Sequence, residues 1–162
     1  PLPSPVNDKL IEGNYLSCLG IFVKREVLNK FNFNEDRTLS GSEDYELWMR
    51  LAVRFDILTC PVSTAILVNH RDRSVVKINP VKLINRIETL KKYLHDDEVF
   101  VKRFSDRLNA FYSYLNIYAA LHLAMSNHRK EAWKYWQNAF LDFPFIIFNI
   151  RFWIIVKKMI FR

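Results

Sequence analysis

From Pro80 to the C-terminus the chain contains no glycine, and its apolar residues return at helical spacing. That combination reads as helical and leans away from a many-turned all-β design. Val81, Ile84, Ile87, Leu90 and Leu94 follow Pro80 at intervals of three or four. Pro80 suits the first helical turn, where its missing N–H would have no helical partner in any case. A second helix is predicted over Glu98 to Met125 and a third over Arg129 to Leu141. Ser126-Asn127-His128 separates them, with Asn127 suited to a left-handed cap.

The segment before Pro80 has a different grain. Tyr15 to Val23 is apolar, β-favouring and free of charge, the pattern of a mostly buried strand. Lys24 to Leu28 reads as a short helical turn, and Asn34 to Ser42 as a polar loop. A helix is expected from Glu43 to Arg54, with Ser42 as its N-cap and Gly41 easing the entry. Phe55–Cys60 and Val62–Asn69 read as two short strands around Pro61, and His70 to Ser74 as a loop. The expected fold class is α+β and mostly helical, with residues 1–79 as a mixed unit and 80–162 as a helical one. Half of the residues are hydrophobic and a quarter charged, so a disordered chain is excluded. Cys18 and Cys60 make neither a disulfide framework nor a zinc knuckle, which points to a reducing, cytoplasmic compartment. The longest apolar runs, Phe143–Phe148 and Phe152–Val156, fall far short of the roughly 20 residues that cross a bilayer. No initiator Met or signal peptide opens the chain, and Pro1 to Pro5 reads as an extended lead-in or as a cut within a longer protein.

The stretch with most chemical content is Ser42-Glu43-Asp44-Tyr45-Glu46-Leu47-Trp48-Met49-Arg50-Leu51-Ala52. Leu47, Trp48, Leu51 and Ala52 form the buried stripe of an amphipathic helix, and Glu46 with Arg50 an i,i+4 pair on a more exposed side. Asp44 stands three, four and seven residues before Leu47, Trp48 and Leu51, at the N-terminal end of that stripe. The helix dipole favours its ionised form, and a carboxylate so placed can accept a proton from a substrate hydroxyl. Taken alone, acids at a helix start more often serve the helix than a reaction.

Three motifs in order change that balance: Gly20 to Leu28 ending a strand in Lys24-Arg25, then Phe33-Asn34-Glu35, then the Glu43-Asp44 helix with Leu47-Trp48-Met49-Arg50. From about Asn14 to Ser74 the chain closely resembles the latter half of family 2 glycosyltransferases, which have the GT-A fold. The resemblance implies that Asp44 is the catalytic base and that Glu43 and Trp48 support the acceptor side. It implies further that either His70 or Arg71 lies near the donor phosphates or the metal, the register there differing from the usual pattern. The intact enzyme would use a divalent ion, Mg or Mn. Nothing before Tyr15 can form the nucleotide-binding sheet, and no Asp-x-Asp or Gln-x-x-Arg-Trp occurs. The resemblance therefore implies the acceptor-side part of a non-processive, inverting hexosyltransferase. Such an enzyme moves a sugar from a nucleotide-sugar to a saccharide or lipid-linked acceptor in surface polysaccharide or glycolipid synthesis. The chain alone is expected to be inactive, to hold no metal, and to self-associate through uncovered apolar faces.

An alternative reading is a non-enzymatic interaction module. Ala119-Ala120-x-x-Leu123, then Ala132-x-x-x-Trp136, Ala139 and Pro144, alternate small and large residues as one tetratricopeptide-type unit does. One unit is fewer than the three a solenoid needs. The net charge of +7 raises nucleic acid as a partner, but no recognition motif accompanies it. The charge is concentrated instead in Phe143 to Arg162, which holds Arg151, Lys157, Lys158 and Arg162 and no acid. A helix over 145–162 would put Arg151, Lys158 and Arg162 on one side of a wide apolar surface. That surface either docks on an anionic membrane, at the inner face of the cell membrane, or packs on the helical hairpin.

Overall fold

The computed structural model describes residues 4–160 apart from 64, 67 and 69–78. The described chain is mostly helical. Its α-helices are α1 (Arg25–Leu28), α2 (Glu43–Ala52), α3 (Pro80–Asp96), α4 (Glu98–Arg103), α5 (Leu108–Met125), α6 (Arg129–Asp142) and α7 (Ile150–Ile160). Short 3-10 segments cover Asn7–Glu12, Cys18–Gly20, Arg37–Leu39 and Pro144–Phe148.

No strand forms among the described residues, so the short strands of the expected GT-A remnant are not supported. Tyr15–Val23 is interrupted by the turn at Cys18–Gly20, which Ser17 caps by accepting from the Leu19 N–H. Ile21 keeps β-region angles, and Phe22 is 88% exposed. Phe55–Cys60 and the described part of Val62–Asn69 likewise form no ladder. The physical reason is that β-favouring side chains suit a pleated, half-buried surface and cannot create one without a neighbouring strand.

Two predicted helices are shorter or divided. α2 stops at Ala52 rather than Arg54, where Asn7 clamps its end. The Asn7 amide donates to Ala52 O and Phe55 O, each at 2.6 Å, and accepts from Ile57 N–H at 2.9 Å. Val6 N–H adds a bond to Ile57 O. The helix expected over Glu98–Met125 breaks between Arg103 and Leu108 into α4 and α5. The break lets Phe104 turn inward beside Phe100, which also meets Phe111, both ring pairs 5.3 Å apart and all three rings buried. Asp97 caps α4 by accepting from the Val99 and Phe100 N–H groups.

α5 is the centre of the molecule. It packs against α3, α6, α7 and the Asn7–Glu12 turn. Asn127 adopts the left-handed conformation (φ 63°) that reverses the chain between α5 and α6. Ala119 and Ala120 of α5 and Ala132 and Ala139 of α6 are fully buried, and Ser113 Oγ donates to Ala139 O at 2.7 Å. Small residues at this crossing allow the two backbones to approach. α3 contributes Leu83, Ile87, Leu90 and Leu94 to the same core that holds Leu47 and Met49 of α2. Fully burying each such side chain stabilises by roughly 1.5–3 kcal/mol. The core thus draws on both sides of residue 80, and a bidentate Arg54–Asp97 ion pair (2.7 and 2.8 Å) joins the C-terminal end of α2 to the start of α4.

Candidate functional site at the N-terminal end of helix α2

α2 is buried on nearly every side: Tyr45, Glu46, Leu47, Trp48 and Met49 are all inaccessible. Its N-terminal end is the part left open, and there Glu43 and Asp44 are each half-buried. Packing of the rest of the helix therefore fixes both carboxylates at the margin of the core. Ser42 occupies the N-cap position but makes no side-chain cap bond. The Glu43 carboxylate instead reaches back to accept from the Gly41 N–H.

Asp44 faces the segment before α1. Asn14 Nδ2 donates to its Oδ1 at 3.2 Å, the Cys18 thiol lies 3.9 Å from Oδ2, and the Tyr45 N–H donates to Oδ1 at 2.7 Å. Burial first, and the Asp44 and Glu43 charges after it, push the Cys18 thiol above its ordinary value. Cys18 therefore stays protonated and serves as a weak donor rather than a nucleophile. No ion pair engages Asp44 among the described residues.

On the other flank, Glu43 shares an open cleft of about 500 Å³ with Asn34, Glu35, Asp36, Arg37 and Ser40. The Asp36 carboxylate is held below the usual range by the Thr38 N–H (2.8 Å) and hydroxyl, and it also accepts from Tyr93 OH at 3.1 Å. Gly41 has φ 89°, and a Cβ there would lie 2.4 Å from an Arg86 guanidinium nitrogen. Glycine thus permits both the turn into α2 and the approach of Arg86, whose NH1 donates to Ser40 O at 3.2 Å. Behind Arg86, burial and the charges of Arg86 and Arg151 depress the basicity of His122. Arg86 Nε and His122 Nδ1 are buried without a hydrogen-bond partner.

The sequence-predicted residues are thus unevenly distributed. Glu43 and Asp44 sit together at the open helix end. Trp48 lies in the core, edge-on to Phe33 with ring centroids 6.1 Å apart, so it supports the helix from within. Glu46 corrects the expectation of an exposed pair: it is 2% exposed and bound by Arg50 through Nε (2.7 Å) and NH2 (2.9 Å). Arg50 NH2 also donates to Asn32 O at 2.7 Å, so the pair fastens the loop after α1 to α2. His70 and Arg71 lie outside the described residues. Asn14, Cys18 and Arg86 carried no mark in the sequence, because each reaches the site from a distant part of the chain.

Among the described residues no group of three or more His, Cys, Asp or Glu is placed to hold a metal ion. Asp44 has an amide and a protonated thiol beside it, which is not the oxygen-rich set that Mg or Mn takes. The described residues do not fit the divalent ion that the resemblance implies. No protein family, curated protein or solved structure matches the chain.

Proposed function

We propose that the chain is the acceptor-side part of an inverting glycosyltransferase in which Asp44 is the general base. The observation that carries this reading is the state of Asp44: half-buried at the open end of an otherwise buried helix, oriented by a neutral amide, and engaged by no cation. An amide orients a carboxylate without cancelling its charge, whereas a paired cation would stabilise the charged form and oppose proton uptake.

In the proposed reaction Asp44 takes the proton of an acceptor hydroxyl. The hydroxyl oxygen forms a bond to the anomeric carbon of a nucleotide-sugar. The bond from that carbon to the phosphate oxygen breaks, its electron pair leaves with the nucleoside diphosphate, and the configuration inverts. Glu43 holds the entry to α2 and borders the polar cleft, a surface suited to sugar hydroxyls. The 88% exposure of Phe22, next to an Ile21 with β-region angles, also supports the reading, as an apolar side chain left without a cover. The acceptor is a saccharide or a lipid-linked saccharide, and the setting the cytoplasmic side of a membrane where surface polysaccharide or glycolipid is made.

The test is sugar transfer by the full-length protein that contains this chain, assayed with labelled nucleotide-sugars. Asp44→Asn should lower turnover by about two orders of magnitude or more with unchanged circular dichroism, since the shape is kept and the base removed. Glu43→Gln should be milder. Near-normal turnover by Asp44→Asn removes Asp44 from the mechanism, and a wild-type protein that acts on no nucleotide-sugar removes the enzyme reading.

A further inference from the structure

We infer that α7 and the Pro144–Phe148 turn form a membrane-docking face that lies flat on an anionic lipid surface. This inference is independent of the catalytic reading. The observation behind it is that α7 is apolar on two opposite sides. One side, with Phe152 and Ile155, is buried against α5 and α6. The other presents Ile150 (73% exposed), Trp153 (59%), Ile154 and Ile160 to solvent. The preceding turn adds Phe145 (66%) and Phe148 (81%), with Ile146 alone of that turn buried.

Within the turn Phe145 stacks on Phe148 at 6.5 Å. On the helix Trp153 leans on the buried Phe152 at 5.4 Å, and Phe152 meets Trp136 and Phe140 of α6 at 4.5 and 6.4 Å. Trp153 Nε1 donates to Ile147 O at 2.8 Å, which satisfies the polar edge of the indole inward and leaves its apolar ring outward. Single exposed apolar residues are ordinary, but six large ones on one turn and the helix that follows it call for a cover.

Charge identifies the cover. Lys157 is exposed on this same outer side, between Trp153 and Ile154 around the helix axis, and Lys158 is exposed at its edge, next to Ile154. From Phe143 onward the sequence contains no acid. The nearest one, Asp142, is bonded away from the patch by Asn116 Nδ2 at 2.7 Å. A second copy pressed against this face would set lysine against lysine with no carboxylate between. Lipid phosphates supply the missing negative charge, while aromatic rings and lysine stems suit the headgroup boundary. No helix among the described residues is long and apolar enough to cross a membrane, so the contact is along the surface.

The test uses the 162-residue chain with sedimented vesicles of phosphatidylcholine, alone or with an equal part of phosphatidylglycerol, at low ionic strength. The chain should sediment with the anionic vesicles and be released by added salt. Lys157→Gln with Lys158→Gln should weaken binding about thirtyfold, roughly five- to sixfold per charge. Phe145→Ser with Phe148→Ser should weaken it about tenfold or more while leaving the unfolding midpoint unchanged, both rings being solvent-exposed. Wild-type protein that stays in the supernatant overturns the inference, as does equal binding by the double-serine variant. A dimer that the double-serine change converts to monomer, with vesicle binding by neither, overturns it in favour of a second copy.

Discussion

Asp97 and His122 show how the same two causes, burial and a neighbouring cation, act on groups of opposite charge. Burial pushes the Asp97 carboxyl up, but the Arg54 bonds and the Phe100 and Val99 N–H groups outweigh it and hold the group below the usual range. A depressed carboxylate contributes stability that is present above its unfolded value, about 3.9, and is lost as pH falls through the folded one. For His122 burial and the charges of Arg86 and Arg151 act together, so the neutral ring is favoured in the folded protein. Its contribution is present above about pH 6.5 and is lost progressively as pH falls below that value. Urea unfolding across pH should therefore show a first loss beginning near pH 6.5 and a second below about pH 4. His122→Gln should flatten the first and leave the second. Asp97→Asn should reduce the second, the part due to Asp36 remaining, and cost about 2 kcal/mol at neutral pH, since it strips Arg54 of a partly buried partner. A profile without slope between pH 7 and 5 would contradict the His122 assignment.

Among the elements, the end of α2 shows a polar side chain doing what a capping glycine does elsewhere. Asn7 is nearly buried and satisfies two carbonyls and one N–H at the point where α2 stops and the chain turns to Ile57. Asn7→Ala should cost about 3 kcal/mol in the same unfolding experiment, from three hydrogen bonds of roughly 1 kcal/mol each. A loss under about 1 kcal/mol would mean that water replaces the amide. The break between α4 and α5 and the division of the predicted tail helix have different causes. The first serves the Phe100, Phe104 and Phe111 cluster. The second falls at Asn149, whose Oδ1 accepts from the Arg151 N–H and restarts the helix as α7.

At the scale of the whole molecule, the open end of α2 carries Asp44 with Asn14 on one flank and Glu43 with its cleft on the other, while Lys157 and Lys158 are exposed on α7. The described residues hold no metal-binding group, and the cleft beside Glu43 is lined by three acids against one arginine. Such a lining repels diphosphate. The 162-residue chain should therefore show no micromolar heat of binding with uridine or guanosine diphosphate sugars in calorimetry. Micromolar binding would mean that the chain holds a donor site of its own.

The approximate limits of α2, α3 and α6 were legible in the sequence, because helical hydrogen bonds are local and period and caps follow from nearby residues, whereas the breaks within 98–125 and 145–162 were not. Pro80, Asn127 and the apolar spacing of α3 and α5 needed nothing from elsewhere in the chain. Tertiary structure decided what depends on distant partners. Tyr15–Val23 has the residues of a strand, yet a ladder needs a neighbour, and none stands beside it among the described residues. Glu46 has the spacing of a surface ion pair, yet the loop after α1 closes over it and buries it with Arg50. Asn14 and Arg86 reach the α2 end from 30 and 42 positions away from Asp44, a proximity that only the packed chain creates. The tail helix is the clearest case. Its sequence is apolar around most of its circumference, and contact with α5 and α6 alone determined which apolar side is buried and which is left to the outside.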